Sequence, residues 1–547
     1  MTGSTFDFDL VILGGGIACT LTLSAFLSTL EAGEGTVSIA VIEKDAQFWR
    51  GLPYGRRSSP NSLIITALSE FVPDEERAEF IAWLIAERQR WTAELRSSGG
   101  DAAAHWLNEN DAAMSAGEWT EIYVPRILFG DFAEAKLART IAQAEQDGLA
   151  KVTLVHGEAI DVELSAGHYN VSLLQDGVFS SIEARTVLLA IGSPPFKPLA
   201  GAAQASSFYV NDAYSPSLPE NLSALRSHMQ SIPRDSGRNL LIVGSNATAL
   251  EALYMISRNH DLRETLDNIV VLSTGGSLPR MMTRERFRQH SFPRVEALRR
   301  ADNFTAKDIV VAAELDVAAI AASTHVVGDT FHHLSDLVVE LNAKLDAAGQ
   351  EEFHRVYGMR FTRLVRRAGV EYTEAAEDLV ANGKLELLRG RFKSIDAGAL
   401  PGKARLIYET DERSDDLVHS LDFAAVINCA GFEVLSANSS SPLIANLVRH
   451  KLAVPNHTGR GFDVDATFQT SPNVFVCGPM LAGVFNSSAK FWHVENVRRI
   501  HGLAQMIARS IVICVFGERA ASRSPAPHPA ELSDSLRSTE SHIATAG

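Results

Sequence analysis

The chain is poor in cysteine and in positive charge, and it has no uninterrupted apolar run of membrane-spanning length. Four cysteines, Cys19, Cys429, Cys477 and Cys514, are spread over 547 residues without a C-x-x-C pair. That pattern offers no zinc-ligand spacing and no dithiol redox motif, and it suits a reducing compartment. Lysine and arginine number 50 against 66 aspartates and glutamates, a formal net charge of -16, which disfavours nucleic acid and anionic membranes as partners. One basic run stands out, Arg280, Arg284, Arg286, Arg288, Arg294, Arg299 and Arg300, and it reads as a solvated face rather than a phosphate patch. Of the two most apolar windows, residues 10–27 are broken by glycines and residues 510–516 are too short to cross a bilayer, so no membrane span is expected. Asp7 and Asp9 stand where a secretory leader would carry basic residues, so a cytoplasmic location is expected. No catalytic triad or carboxylate pair is recognisable. His332-His333 lacks a carboxylate or cysteine at ligand spacing, so no metal site is expected.

What the chain does have is 46% hydrophobic and 21% charged residues, a globular balance, over a length that calls for two or three domains. Residues 9–19 read Asp-Leu-Val-Ile-Leu-Gly-Gly-Gly-Ile-Ala-Cys and run into an apolar helical pattern. Gly14 permits a tight turn out of a strand, Gly16 lets backbone amides approach a pyrophosphate, and the helix beginning at Ile17 and Ala18 points its positive end at that charge. Cys19 takes the third glycine position of G-x-G-x-x-G. Residues 36–42 form a β-branched strand that ends in Glu43, followed by Lys44, and Glu43 is placed to accept hydrogen bonds from an adenosine ribose. Strand, glycines, helix, strand and acid occur in order, the signature of a dinucleotide-binding βαβ unit.

The theme recurs at residues 239–251, Asn-Leu-Leu-Ile-Val-Gly-Ser-Asn-Ala-Thr-Ala-Leu-Glu. Gly244 and Ala247 fit the pattern, but Asn246 stands where the second glycine is expected, and asparagine tolerates the turn. The next strand leads to Ser273-Thr-Gly-Gly-Ser-Leu-Pro-Arg280, whose hydroxyls and guanidinium favour NADP over NAD; the alternative is a degenerate half-site that only packs. Between the units, residues 73–96 show helical spacing, the stretch around Gly99 reads as a surface loop, and residues 186–192 form an apolar strand ending in Gly192. Residues 305–382 have helical periodicity throughout. A closing strand ends in Gly478-Pro479, with a helix expected at residues 493–511. Beyond residue 520 the composition turns to Ser, Pro, Ala and Glu, a disordered tail.

Taken together these segments resemble the bacterial FAD/NAD(P)-binding oxidoreductase family related to flavin N-hydroxylating and other single-component monooxygenases. The resemblance rests on residues 11–19, Gly51-Leu-Pro-Tyr-Gly55, Leu68-Ser-Glu with Phe80-Ile-Ala-Trp-Leu84, Val124-Pro-Arg126 with Phe129-Gly-Asp-Phe132, residues 240–251 with Leu278-Pro-Arg280, and Gly478-Pro-Met-Leu-Ala-Gly483. The chain departs from the family at Leu63-Ile-Ile65, where an asparagine is usual, at Asn246, and at Val484-Phe485-Asn486, where a tryptophan-glutamate pair is common.

The resemblance implies an α/β flavoprotein with two dinucleotide-binding domains. Its FAD domain would span residues 1–200 and 396–515, with an NAD(P)-binding-like domain at 201–300, a helical insertion at 301–395 and the tail at 516–547. FAD would be held by Gly14, Gly15, Gly16, Ile17, Ala18, Glu43, Lys44, Tyr54, Gly192, Gly478 and Pro479, and NADPH by Gly244, Asn246, Ala247 and Arg280. The implied activity is NADPH-dependent monooxygenation of a small molecule, with the reaction carried by the flavin and no side-chain nucleophile required. Tyr54, Asn486 and Trp492 are candidates for the flavin ring, and Arg360 for a substrate carboxylate. Two alternatives stay open: a flavin dehydrogenase or oxidase with a vestigial NAD(P) site, and a flavin-binding interaction protein without catalysis.

Overall fold

Apolar β-branched runs that bury both faces belong in parallel sheets covered by helices, and the computed structural model has two of them. It describes residues 6–33, 35–202, 208–282, 291–322, 331–411, 413–492 and 496–517. The first sheet is ordered Gln469–Ser471, Val474–Val476, Val178–Leu189, Phe8–Leu13, Val37–Glu43, Ala150–His156. All pairings from Val474–Val476 onward are parallel. An antiparallel hairpin, Glu158–Ser165 with His168–Gln175, leans on the outer half of Val178–Leu189. Helix Ile17–Ser28 covers this sheet and packs against helix Val497–Phe516. The latter is long and apolar enough to cross a membrane by length and composition, but Ile500, Leu503, Ala504, Ile507, Ala508 and Ile511 are buried in the protein's main core. It is a core helix.

The second sheet is parallel throughout, ordered Leu385–Arg389, Ile269–Ser273, Leu240–Val243, Ala425–Asn428, Tyr209–Val210. One face is covered by helices Ala247–Arg258 and Val370–Ala381, and the other by a three-stranded antiparallel layer, Arg391–Ala397, Ala404–Thr410 and Arg413–Phe423. The expected boundaries therefore move. Helix Val370–Ala381 and the strands from Leu385 to Asn428 belong to the second nucleotide unit, because residues 385–388 and 425–428 each supply a buried parallel partner to its sheet. The return to the first unit comes after Cys429, not at residue 396. The insertion is shorter than expected. It leaves and re-enters through a parallel two-stranded ribbon, Arg280–Met282 with Arg367–Gly369, and residues 292–364 hold their own core around Phe292, Ile309, Val310, Leu334, Val338 and Phe353.

Other expectations shift in the same way. Gly99 opens no loop; it caps helix Arg88–Ser98, and helix Gly100–Ala116 follows at once. Its alanines favour helix more than its glycines oppose it. Within the basic run, Arg284, Arg286 and Arg288 lie outside the described residues, while Arg294 pairs with Asp316 and Arg299 with Glu340. His333 sits on helix Phe331–Lys344 with its ring 5.9 Å from Phe292. The tail from residue 518 is outside the described residues.

The insertion meets the first unit at a π-helical turn, Phe353–Tyr357. His354, buried there, bonds the Phe491 carbonyl at 3.3 Å and packs against His457, Phe485 and Trp492. Burial first, and the neighbouring His457 second, push the His354 imidazolium down to about 4. An unfolded histidine titrates near 6.5, so below that pH the unfolded chain binds this proton and the native state does not until about 4. The contribution of His354 is thus full above about pH 6.5 and declines as the pH falls toward 4. His354→Phe should flatten the fall in melting temperature between pH 7 and pH 4.5, measured by thermal scans; an unchanged slope would count against this assignment.

Candidate functional site

The two nucleotide turns are superimposable in their bonding. Gly14 N–H donates to the Ile42 carbonyl at 2.8 Å, and Gly244 N–H to the Leu272 carbonyl at 2.8 Å. Both glycines have positive φ, +98° and +105°, and a Cβ would lie 2.4 Å from the Ala190 carbonyl oxygen in one and 2.1 Å from the Cys429 carbonyl oxygen in the other. Only glycine allows so tight a passage between neighbouring strand ends.

They diverge two residues later. Gly16 is the N-cap of helix Ile17–Ser28 and provides no side-chain cap. Among the described residues no protein acceptor meets the Ile17 or Ala18 amides, so the first turn presents unpaired N–H groups and the positive end of the helix. The surroundings keep that turn narrow. Gly51 packs on it, its Cα 3.3 Å from where a Gly16 Cβ would be; Gly478, at φ +69°, has room for a Cβ only at 2.8 Å from that of Ala18. Trp49 N–H donates to the Gly15 carbonyl, and the Thr20 hydroxyl to the Trp49 carbonyl at 2.6 Å. Glu43, half-buried, accepts from Gly15 N–H at 2.7 Å and Asp45 N–H at 2.9 Å, which fixes its carboxylate at the edge of the turn. Unpaired amides, an acid beside them and glycines where a Cβ would intrude form a cradle that fits an adenine dinucleotide pyrophosphate.

In the second unit Asn246 is the N-cap of helix Ala247–Arg258. Its Oδ1 accepts from Thr248 N–H at 3.1 Å and its Nδ2 donates to the Cys429 carbonyl at 2.9 Å. One amide that a phosphate would use is thus met by the protein itself. Ala247 is exposed in the first turn of this helix, Arg280 is exposed on the ribbon that leads into the insertion, and Gly276 N–H bonds Ser273 at the turn after strand Ile269–Ser273.

A family profile described as FAD-NAD(P)-binding matches residues 11–194, the span that builds this cradle. The uncharacterized proteins Rv3403c of Mycobacterium tuberculosis and Mb3437c of Mycobacterium bovis are each 37% identical over 511 residues, covering 92% of this chain and 95% of theirs. The chain belongs to this FAD/NAD(P)-binding family. Among solved structures, a FAD-bound cadaverine monooxygenase of desferrioxamine biosynthesis from Erwinia amylovora is 12% identical with a TM-score of 0.53, covering 93% of this chain and 95% of that one. L-lysine 6-monooxygenase from Pseudomonas syringae is 17% identical with a TM-score of 0.50, over 93% and 100%. At such identities the likeness is one of fold, and it agrees with the two-unit architecture.

For this family member the remaining candidates divide sharply. Gly15, Gly16, Ile17, Ala18, Glu43 and Gly478 come together at the first turn; Pro479 is the second residue of the 3-10 turn Gly478–Leu481 behind it, and Gly192 follows the strand beside it with φ +76°. Lys44 is exposed and pairs with Glu158. Tyr54 is instead core: its ring meets Phe71 and Phe129, and burial raises its hydroxyl pKa well above the usual range. Asn486 is spent on backbone groups, donating to the Val464 and Asp465 carbonyls of a distant segment and accepting from the Ser488 and Ala489 amides of its own loop. Arg360 is exposed and held bidentately by Glu314. Trp492 packs into the insertion's core against Phe353, Phe361 and Gly358. None of these four lines the cradle. Sequence reasoning missed Gly51 as the residue that closes it; the signal was its place in the turn-rich loop.

Gly478→Ala should leave the secondary structure intact by circular dichroism and lower FAD retention about tenfold or more, because a methyl must displace the first helical turn. Retention equal to wild type after gel filtration would remove Gly478 from the site.

Proposed function

We propose that the protein is a FAD-dependent oxidoreductase, and specifically an NADPH-dependent monooxygenase of a small molecule. The observation that carries this reading is the uncapped first turn of helix Ile17–Ser28, narrowed by Gly51 and Gly478 and flanked by Glu43. Bound there, FAD would supply the electron-transfer and oxygen-activating chemistry that side chains lack. The chain's own task is to grip and orient. The Ile17 and Ala18 amides would neutralise the pyrophosphate, and Glu43, already aimed by Gly15 and Asp45, would accept from the ribose hydroxyls. The second sheet and its turn at Gly244 support a nicotinamide dinucleotide as electron donor, with Arg280 exposed for the extra phosphate of NADPH. Lysine and cadaverine, named for two proteins of the same fold, make primary amines the first substrates to screen.

A second reading has its own support. The Asn246 cap competes with a phosphate for the Thr248 amide, as a vestigial donor site would, and substrate itself would then reduce the flavin in a dehydrogenase or oxidase reaction. Anaerobic titration of the FAD-loaded protein separates the two. Bleaching of the flavin absorbance by NADPH in preference to NADH is expected; no bleaching by either, with bleaching by a substrate, overturns the monooxygenase reading. Asn246→Gly, which frees the Thr248 amide, should tighten NADPH binding about 3- to 10-fold, the value of one recovered hydrogen bond. Unchanged affinity would show that the cap does not oppose the ligand.

A further inference from the structure

One buried carboxylate on the second nucleotide helix reaches across to the first unit. Glu251, 2% exposed, lies five residues after the Asn246 cap, about 7.5 Å along the helix axis. Its Oε1 accepts from the Ser58 hydroxyl at 3.3 Å and from the Ser62 hydroxyl. Its Oε2 accepts from the Tyr214 hydroxyl at 2.9 Å and is ion-paired with the Arg126 guanidinium. Arg126 Nε also donates to Ser58 Oγ at 3.2 Å, and Arg126 N–H to the Ser62 carbonyl at 2.8 Å. Ser58, Ser62 and Arg126 belong to the first unit, while Glu251 and Tyr214 belong to the second.

The seam continues on both sides. Arg57 pairs with Asp212 at 3.3 Å and donates to the Tyr214 carbonyl at 2.8 Å. The Tyr372 hydroxyl accepts from Leu63 N–H at 2.8 Å and donates to the Leu63 carbonyl, and Arg367 pairs with Glu70 at 3.1 Å. All these partners of the second unit seize one strap, residues 57–70. The strap continues directly from the loop in which Gly51 packs on Gly16. A physical chain therefore runs from the first nucleotide turn, through the strap and Glu251, to the second.

A buried ion pair is an inefficient adhesive, since its desolvation offsets most of its attraction and an apolar contact would hold two domains as well. What directional bonds from three donors of the first unit, Ser58, Ser62 and Arg126, add is a single relative orientation. We propose that Glu251 and Arg126 are positioning residues that fix the second nucleotide turn against the first. This rests on the NADPH reading above: the step it governs is hydride transfer, in which a C–H bond of the reduced nicotinamide breaks, its electron pair and proton pass to the oxidised flavin, and the nicotinamide is left oxidised. Neither residue lies at either nucleotide turn.

The test compares Glu251→Gln with the wild-type holoprotein by anaerobic stopped flow and by amide hydrogen exchange. The expected result is FAD retention and NADP affinity within about twofold of wild type, with flavin reduction at saturating NADPH slowed about 10- to 100-fold, as a misplacement near 1 Å produces. Exchange at Arg126 N–H and at Ile64 N–H, which bonds the Val124 carbonyl, should accelerate about tenfold or more. Asp316→Asn serves as the control. It removes another fully buried carboxylate, one that caps residues 294 and 295 inside the insertion, and should lower stability without changing reduction rate or exchange at the strap. Should Glu251→Gln fail to fold, Tyr214→Phe removes one donor and should shift both readouts in the same direction by less. Unchanged reduction and unchanged exchange in these variants overturn the proposal. If NADPH does not reduce the wild-type flavin, the donor reading fails and the exchange arm still decides the seam: faster strap exchange in Glu251→Gln but not in Asp316→Asn supports it, and equal exchange overturns it.

Discussion

The structure turns on a few backbone N–H groups that have no partner among the described residues. Buried or half-buried amides are ordinarily paired, yet among the described residues the first turn of helix Ile17–Ser28 has neither a side-chain cap nor a protein acceptor for Ile17 and Ala18. The chain pays for this locally with glycines. Gly14 passes under the Ala190 carbonyl, Gly51 lies on Gly16 and Gly478 lies on Ala18, each at a distance that a side chain would violate. An arrangement that withholds a cap and also excludes side chains is intelligible as space for a ligand that supplies the missing acceptors.

The second unit makes the same point by contrast. Its strand, turn and helix repeat the first almost bond for bond, but Asn246 fills the acceptor role from within. Two turns of one design thus differ by one amide: the second has its Thr248 N–H met by Asn246, where the first leaves the matching Ala18 N–H without a partner among the described residues. The strap of residues 57–70 ties them together through Glu251, Tyr372 and Arg367, so the weaker turn is held in register with the stronger one.

Much of this was legible in the sequence because it depends on local chemistry. The strand-glycine-helix pattern at residues 9–19, its echo at residues 239–251 and the acid at Glu43 are short-range signals, and the structure forms strand, turn and helix in both spans and sets Glu43 beside the first turn. The harder parts depend on pairing at long range. Nothing local to residues 385–389 shows that they pair with residues 269–273, so the second unit's extent was misjudged. The polar candidates for the flavin ring are taken up by contacts that the sequence does not announce. Asn486 looks available in sequence, and only the fold reveals that its amide is consumed by four backbone groups. Tyr54 sits in a glycine-rich loop, yet Phe71 and Phe129 arrive from distant segments to bury it. Glu251 closes the pattern at residues 239–251, and nothing nearby in sequence announces its partner Arg126.

The central claim is that the unpaired amides at Ile17 and Ala18 exist to hold a flavin dinucleotide. The most direct measurement is the visible absorbance spectrum of the purified wild-type protein, repeated after reconstitution with FAD and removal of the excess. The account predicts a yellow protein that keeps stoichiometric FAD through gel filtration. A folded protein that is colourless as purified and releases all added FAD would contradict it.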